Sequence, residues 1–325
     1  MPPGHHALRS TVWRWYGRAS HLRDTYLPII DLAGGPDAAV LVAGSARSGT
    51  TWVGSVLASM NGARQLFEPL VVNSRRELAV PLGRRLREGD LARNVQLYIR
   101  PDAGEQTPYF EPIRRILAGQ VGGKWCDSQT RPGWYRSRVV KDIRANLSMA
   151  WMRRVWPGLR IVWVLRHPLA VVHSQLEHTR QRGSFDWSPD DVLQQPDLVA
   201  DWLAPYVGRM TPTRELWQRL AHRWCIETLV PRLQRVHDGE RVVQVRYEDL
   251  VSGTAAWRAV EQLTAEKAWS PATFERLLHT PSSTTLEPRM NDTGVYPLLT
   301  PAAQRGVMEI VDAYGLSDLY PRPCH

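Results

Sequence analysis

VAGSARSGTTWVGS, residues 42–55, decides how this chain is read. Gly44 and Gly49 frame four residues, the spacing of a phosphate-cradling loop of the form G-x-x-x-x-G-K-[ST]. Where that pattern needs lysine the chain has Thr50, and its cation, Arg47, lies inside the loop. The apolar run before it, AAVLVA from Ala38 to Ala43, is expected to be a strand buried in a parallel sheet. After it, Thr50 to Met60 is expected to be a helix, ended by Asn61-Gly62. Strand, loop and helix in this order bring backbone N–H groups and the positive end of a helix to one place, which suits an anion. Ser48, Thr50 and Thr51 add hydroxyl donors and Arg47 a permanent charge. A glycine-serine turn with no ligand has the same spacing, so the loop alone leaves both readings open.

Further strands are expected at Arg64 to Glu68 (RQLFE), Arg138 to Lys141 (RVVK), Leu159 to Leu165 (LRIVWVL) and Arg241 to Tyr247 (RVVQVRY). Helical stretches fall between them, at Leu147 to Trp156 and after Pro168. This alternation predicts an α/β fold of three layers, P-loop-like, with a central, mainly parallel sheet flanked by helices. Residues 88–136 and 186–212 break the rhythm and read as insertions into one domain spanning residues 1–325.

With 325 residues, 43% of them hydrophobic, the chain can bury a sizeable core. A net charge of +9 favours an anionic partner. The arginine pairs at 75–76, 84–85, 114–115 and 153–154 are scattered rather than blocked, as on a solvated surface. Cys126, Cys225 and Cys324 fit neither a disulfide framework nor a zinc or redox pair, which points to a reducing compartment. No apolar run approaches a spanning helix. The first residues lack the apolar centre of a secretory signal, and an N-terminal helix laying Leu8, Val12 and Trp15 on the domain is expected. These features predict a cytoplasmic protein. His173, Glu177 and His178 match no zinc motif, so no metal is expected.

Three segments together resemble the sulfotransferases that use 3′-phosphoadenosine-5′-phosphosulfate (PAPS). RSGTTW, Arg47 to Trp52, looks like their 5′-phosphosulfate loop, with arginine in first position as in carbohydrate-type and many bacterial members. WVLRHPLAVVHSQL, Trp163 to Leu176, resembles their 3′-phosphate motif, a strand, an arginine and a serine eight positions on. Arg166 and Ser174 fill those places, and His167 stands where the family usually has aspartate or asparagine. VRYEDLV, Val245 to Val251, is similar to a third segment and would put Tyr247 near the adenine, with Glu248-Asp249 capping the next helix. The resemblance implies PAPS bound by Arg47, Ser48, Gly49, Thr50, Thr51, Trp52, Arg166, Ser174 and Tyr247. The product would be 3′,5′-adenosine bisphosphate.

The implied reaction is transfer of a sulfuryl group to a hydroxyl of a small-molecule, glycoside or lipid acceptor, a secondary metabolite among the possibilities. Glu68, in LFEPL, resembles the glutamate taken as base in the carbohydrate branch, with His167 and His173 as rivals. Lys141, in VVKDIR, ends a strand and either touches the reacting groups or pairs with Asp142. Trp125, Trp134, Trp187 and Trp202 either cover the acceptor or pack the insertions. A P-loop kinase is the alternative within enzymes, and Thr50 in place of the lysine argues against it. A polyanion- or nucleic-acid-binding module is the alternative from another class, but no nucleic-acid motif is present, and none is expected as a partner.

Overall fold

Ala39–Ala43 (β2), the strand before the glycine loop, lies at the centre of a five-stranded sheet. On one side it pairs with Arg138–Asp142 (β5), which pairs in turn with Arg64–Phe67 (β3). On the other it pairs with Arg160–Leu165 (β6), followed by Val242–Arg246 (β7). Every pairing is parallel, and the order β3-β5-β2-β6-β7 makes β2 the point where the chain's direction of travel across the sheet reverses. In such sheets ligands bind beyond the carboxyl ends of the strands at the reversal. The computed structural model describes residues 28–70, 96–182, 187–253, 255–265, 268–278 and 295–320.

The strands are short and apolar because both faces of the sheet are covered. Leu41, Val140, Ile161, Trp163 and Leu165 face one hydrophobic core, and Val40, Val42, Val139, Val162 and Val164 face the other. That is the two-residue alternation of a strand, expressed between two cores rather than between core and water. The second core is closed by Thr50–Met60 (α1), Ala255–Thr264 (α7) and Pro271–Leu278 (α8) through the ring cluster Trp52, Trp257, Trp269 and Phe274. The first is closed by Phe110–Leu117 (α2), Met149–Val155 (α3), Pro168–Arg182 (α4), Leu216–Leu233 (α5) and Pro301–Ala313 (α9). Tyr247–Ser252 (α6) follows directly on β7. The α5 helix starts on a capping box between Glu215 and Gln218, and Thr300 caps α9 by accepting from the Ala303 N–H at 3.2 Å.

Ile29–Asp31 (β1) and Gly133–Tyr135 (β4) form a separate parallel pair. It is tied to the amino end of the main sheet by buried charge. Arg138 donates to both oxygens of Asp31 at 2.7 Å, and Arg64 bonds to Asp31 at 3.2 Å and Asp127 at 3.0 Å. Burial would raise the Asp31 carboxyl, but the bonds and charges of Arg138 and Arg64 hold it below its usual value. Further guanidinium N–H groups donate to the carbonyls of Gly34, Leu117, Gly119 and Val121, so the cluster is neutral and hydrogen-bonded as buried charge requires.

The sequence expectations meet the structure unevenly. The helix expected at Leu147 to Trp156 opens as a 3-10 turn, Asn146–Ser148, before α3 begins. Of the insertion expected at residues 88–136, the described part, 96–136, contributes α2 and the strand β4. Residues 190–210 are a run of short helical turns. The expected N-terminal helix with Leu8, Val12 and Trp15 lies outside the described residues, as does Cys324. Cys126 and Cys225 are buried free thiols, and burial pushes that of Cys126 up to about 11. Among the described residues no helix is long and apolar enough to cross a membrane.

Candidate active site

The glycine loop leaves β2 at Gly44 and enters α1 at Gly49, both at positive φ, 154° and 90°. A Cβ at Gly44 would stand 2.4 Å from the Val164 carbonyl oxygen, and one at Gly49 would stand 2.3 Å from the Tyr247 ring. Both positions therefore need glycine on space as well as on backbone conformation. Arg47, between them, also has positive φ, 70°. The loop closes on itself where the Ser48 N–H and hydroxyl both donate to the Ser45 carbonyl, at 3.1 and 2.6 Å. No side chain caps α1, so the N–H groups of its first turn point into the crevice.

The motif at 163–176 is laced directly to this loop. Arg47 Nε donates to the Ser174 hydroxyl at 3.0 Å, Arg166 donates to the Arg47 carbonyl at 3.0 Å, and Gln175 donates to the Ala46 carbonyl at 2.8 Å. The Arg166 guanidinium lies 4.6 Å over the Tyr247 ring, which also packs against Gly49 and, edge-on at 5.7 Å, Trp52. Arg47, Ser48, Gly49, Arg166, Ser174 and Tyr247 thus form one array at the carboxyl ends of β2, β6 and β7. Thr50 and Thr51 are buried in the first turn of α1 beside it. Trp52 is buried too, and its ring packs on Tyr247 and Trp257.

His167 is an aromatic answer to a capping position. Its Nδ1 accepts from the Leu169 N–H at 3.3 Å at the start of α4, as an aspartate or asparagine oxygen would. The backbone N–H of His167 donates to Glu248 Oε1 at 2.8 Å, and Glu248 Oε2 accepts from the Tyr320 hydroxyl at 3.1 Å. Glu248 therefore bridges β6 to Tyr320 and does not cap α6, which has no side-chain cap. We predict that His167→Ala costs about 0.5–2 kcal/mol of stability, while His167→Asn stays within a few tenths. Denaturation midpoints of the two variants check this; equal losses would take the cap away from His167.

At the carboxyl ends of β3 and β5 a second cluster forms. Glu68 follows β3 with φ 44°, and its N–H donates to the Lys141 carbonyl at 2.7 Å. Glu68 Oε1 is ion-paired to Lys141 Nζ, and Glu68 Oε2 lies 3.3 Å from Arg144. Burial would raise the Glu68 carboxyl, but the charges of Lys141 and Arg144 hold it below the usual range. Burial draws the Lys141 ammonium down from its ordinary value, and Glu68 counters that pull. Asp142, read as a possible partner of Lys141, is not one. Adjacent residues in a strand point to opposite faces, and the Asp142 oxygens accept the N–H groups of Leu70 and Arg144 at 2.7 and 2.8 Å. Burial raises the Asp142 carboxyl to about 6.

The four tryptophans divide. Trp125 packs edge-on against Phe67 at 5.2 Å and donates to the Glu68 carbonyl at 3.3 Å, which places it at the candidate base. Trp187 is core, Trp202 donates to the Tyr98 hydroxyl, and Trp134 is exposed on β4, so none of these three lies on Glu68. His173 packs against Tyr296. Among the described residues no three His, Cys, Asp or Glu side chains gather as a metal site. Arg144 and Gln175 escaped the sequence reading. A second basic residue just past the strand that carries Lys141 is the signal that could have found Arg144.

With this geometry in place, the sequence profile of the sulfotransferase family matches residues 39–263, from the first core strand through α7. The chain belongs to the sulfotransferase family. It is a sulfotransferase, as its three motifs predict. No curated protein matches the sequence. Among solved structures it is similar to the sulfotransferase domain of the curacin biosynthetic pathway, at 13% identity over 88% of this chain and 98% of that one, with a TM-score of 0.42. Sulfotransferase STF1 of Mycobacterium tuberculosis is 14% identical over 94% of this chain and 80% of that one, with a TM-score of 0.43. Mouse sulfotransferase SULT7A1, solved with PAP, is 12% identical over 91% and 88%, with a TM-score of 0.42.

Proposed function

We propose that this sulfotransferase is a single-domain enzyme that transfers the sulfuryl group of PAPS to a hydroxyl of a small-molecule, glycoside or lipid acceptor, with Glu68 as general base. The observation that carries the proposal is the meeting of two clusters at one sheet edge. The array of Arg47, Ser174, Arg166 and Tyr247 suits an adenosine with two separated anionic groups, and the ion-paired Glu68 stands beside it at the ends of β3 and β5.

The donor set fits such a ligand. The uncapped amides of α1 and the loop hydroxyls suit the 5′ group and Arg166 and Ser174 the 3′-phosphate, while Tyr247, buried under Arg166, is assigned to the adenine end of the site as a support. In this reading Glu68 takes the hydroxyl proton as the acceptor oxygen forms its bond to sulfur. The bond from sulfur to the 5′-phosphate oxygen breaks in line, and Arg47, Lys141 and the loop amides stabilise the charge left on that oxygen. Fixed protein cations serve where phosphoryl-transfer enzymes use magnesium, so no metal is invoked.

Calorimetric titration with 3′,5′-adenosine bisphosphate in the absence of magnesium tests the donor assignment. Binding is expected there and not with ATP plus magnesium. The reverse pattern would overturn the donor site and favour a kinase.

A further inference from the structure

We propose that Arg144 is a positioning residue for the reaction: it keeps Glu68 ionised and aimed while Lys141 is released to the transferring group. The inference rests on the reading of Glu68 as base. Each Glu68 oxygen is taken by a different cation, Oε1 by Lys141 and Oε2 by Arg144. With Asp142 buried nearby, two cations face two carboxylates here, and Arg144 is the one that stays on Glu68 when Lys141 turns to another anion.

The two cations differ in what anchors them. Lys141 reaches its ammonium from β5 on a flexible four-carbon stem that passes α1 at Gly54, on the face of the sheet that carries the phosphate-loop helix. It can therefore exchange Glu68 for an anionic oxygen held by that loop. Arg144 is set on a fixed peptide. Its N–H donates to Asp142 Oδ1 at 2.8 Å, and the preceding carbonyl, of Ile143, accepts from Gln96 at 2.5 Å and Asn146 at 3.1 Å. Gln96 is itself held by Glu227 at 2.7 Å, and Glu227 by Arg223 at 2.7 Å on α5. The Ile143–Arg144 peptide is thus fixed locally through Asp142 and Asn146 and tied to α5 through Gln96 and Glu227. Among the described residues the side-chain bond shown for Arg144 is the one to Glu68.

Among the described residues, the charged groups around Glu68 are Lys141 and Arg144 with opposite sign and the buried Asp142 with like sign. The Trp125 indole, on the Glu68 carbonyl, is neutral. Removing Arg144 takes away a positive charge, so the Glu68 carboxyl rises and stays protonated to higher pH. A base is lost when protonated, so activity falls first on the acidic side.

The test follows desulfation of PAPS with water as acceptor, measured as bisphosphate release across pH. In Arg144→Gln the acidic limb of kcat is expected to move up by about one pH unit, with turnover recovering at alkaline pH. Arg144→Lys should restore the limb, and the Kd for bisphosphate should stay within about twofold of wild type in both, as expected for a group away from the donor array. A loss of turnover equal at every pH, with no rescue by lysine, would overturn the proposal. If Arg144→Gln fails to bind bisphosphate, Arg144→Lys decides: turnover lost at all pH with binding intact counts against it. Carbon-13 titration of the Glu68 carboxyl, identified by its absence in Glu68→Gln, reads the same shift without turnover. Failure of the base assignment is a separate result, in which Glu68→Gln keeps both turnover and acidic limb.

Discussion

Glu68→Gln should lower turnover about 10²- to 10⁴-fold, the range supplied by a positioned general base, while the Kd for bisphosphate changes little. The substitution keeps the shape of the side chain and removes its capacity to take a proton. It also removes the anion facing Lys141, an ammonium already drawn down by burial. Loss of Glu68 therefore leaves Lys141 more easily deprotonated, and that weakens its hold on the departing oxygen as well. Both effects act on the chemical step rather than on the donor array, which is built on β2, β6 and β7. Single-turnover desulfation of PAPS measures the first quantity and calorimetry the second. Turnover like that of wild type would remove Glu68 from the mechanism.

The second large effect is expected at Arg166. Arg166→Ala removes a charge-assisted contact proposed for the 3′-phosphate, worth about 1.5–3 kcal/mol, which is roughly a ten- to hundredfold rise in Kd for bisphosphate. It also deletes the bond to the Arg47 carbonyl and the cation over the Tyr247 ring, so the loop loses support it has before any ligand arrives. Arg47→Ala should weaken the donor comparably, because Arg47 answers Ser174 across the same crevice. Adenosine 5′-phosphate, which lacks the 3′ group, separates the two roles. Its affinity should fall in Arg47→Ala and change far less in Arg166→Ala. Equal losses for both ligands in both variants would mean that Arg166 acts only by shaping the loop.

How much of this could be read beforehand depended on where apolar residues met a boundary signal. The β2 strand was legible because AAVLVA runs straight into glycine, and β6 because LRIVWVL is stopped by Arg-His-Pro. Thr50–Met60 was legible at both ends, from Gly49 and from Asn61-Gly62. The long helix α5 was not. It is buried on nearly every side over Leu220–Pro231 and so lacks an amphipathic stripe, and Pro231 stands within it. The β4 strand was hidden because its Gly-Trp-Tyr pairs with three residues far up the chain and has no run of its own.

At the site, the cationic loop and its serine partner could be named, since both are short patterns with fixed spacing. Their direct bond could not, because it depends on α4 lying alongside the loop. The Glu68–Lys141 pair was half legible. Residues 141 and 142 alternate across the strand, so only one of them can face the loop helix, and register against β3 sets Phe67 beside Lys141. The left-handed backbone at Glu68 carried no sequence signal at all.

The ring of Tyr247 occupies the space that a side chain at position 49 would need, and it comes from the end of the last strand of the sheet. The loop is encoded near the start of the family region and its buttress near the end. During synthesis the anion-binding turn therefore emerges long before the residue that holds its shape, and it cannot settle until β7 has added to β6. Pairing of this kind, between segments far apart in sequence, is the slow part of folding. Binding competence thus arrives late in this chain, with the closing of the sheet, and an enzyme shortened before β7 would carry its signature loop without the geometry that gives the loop its use.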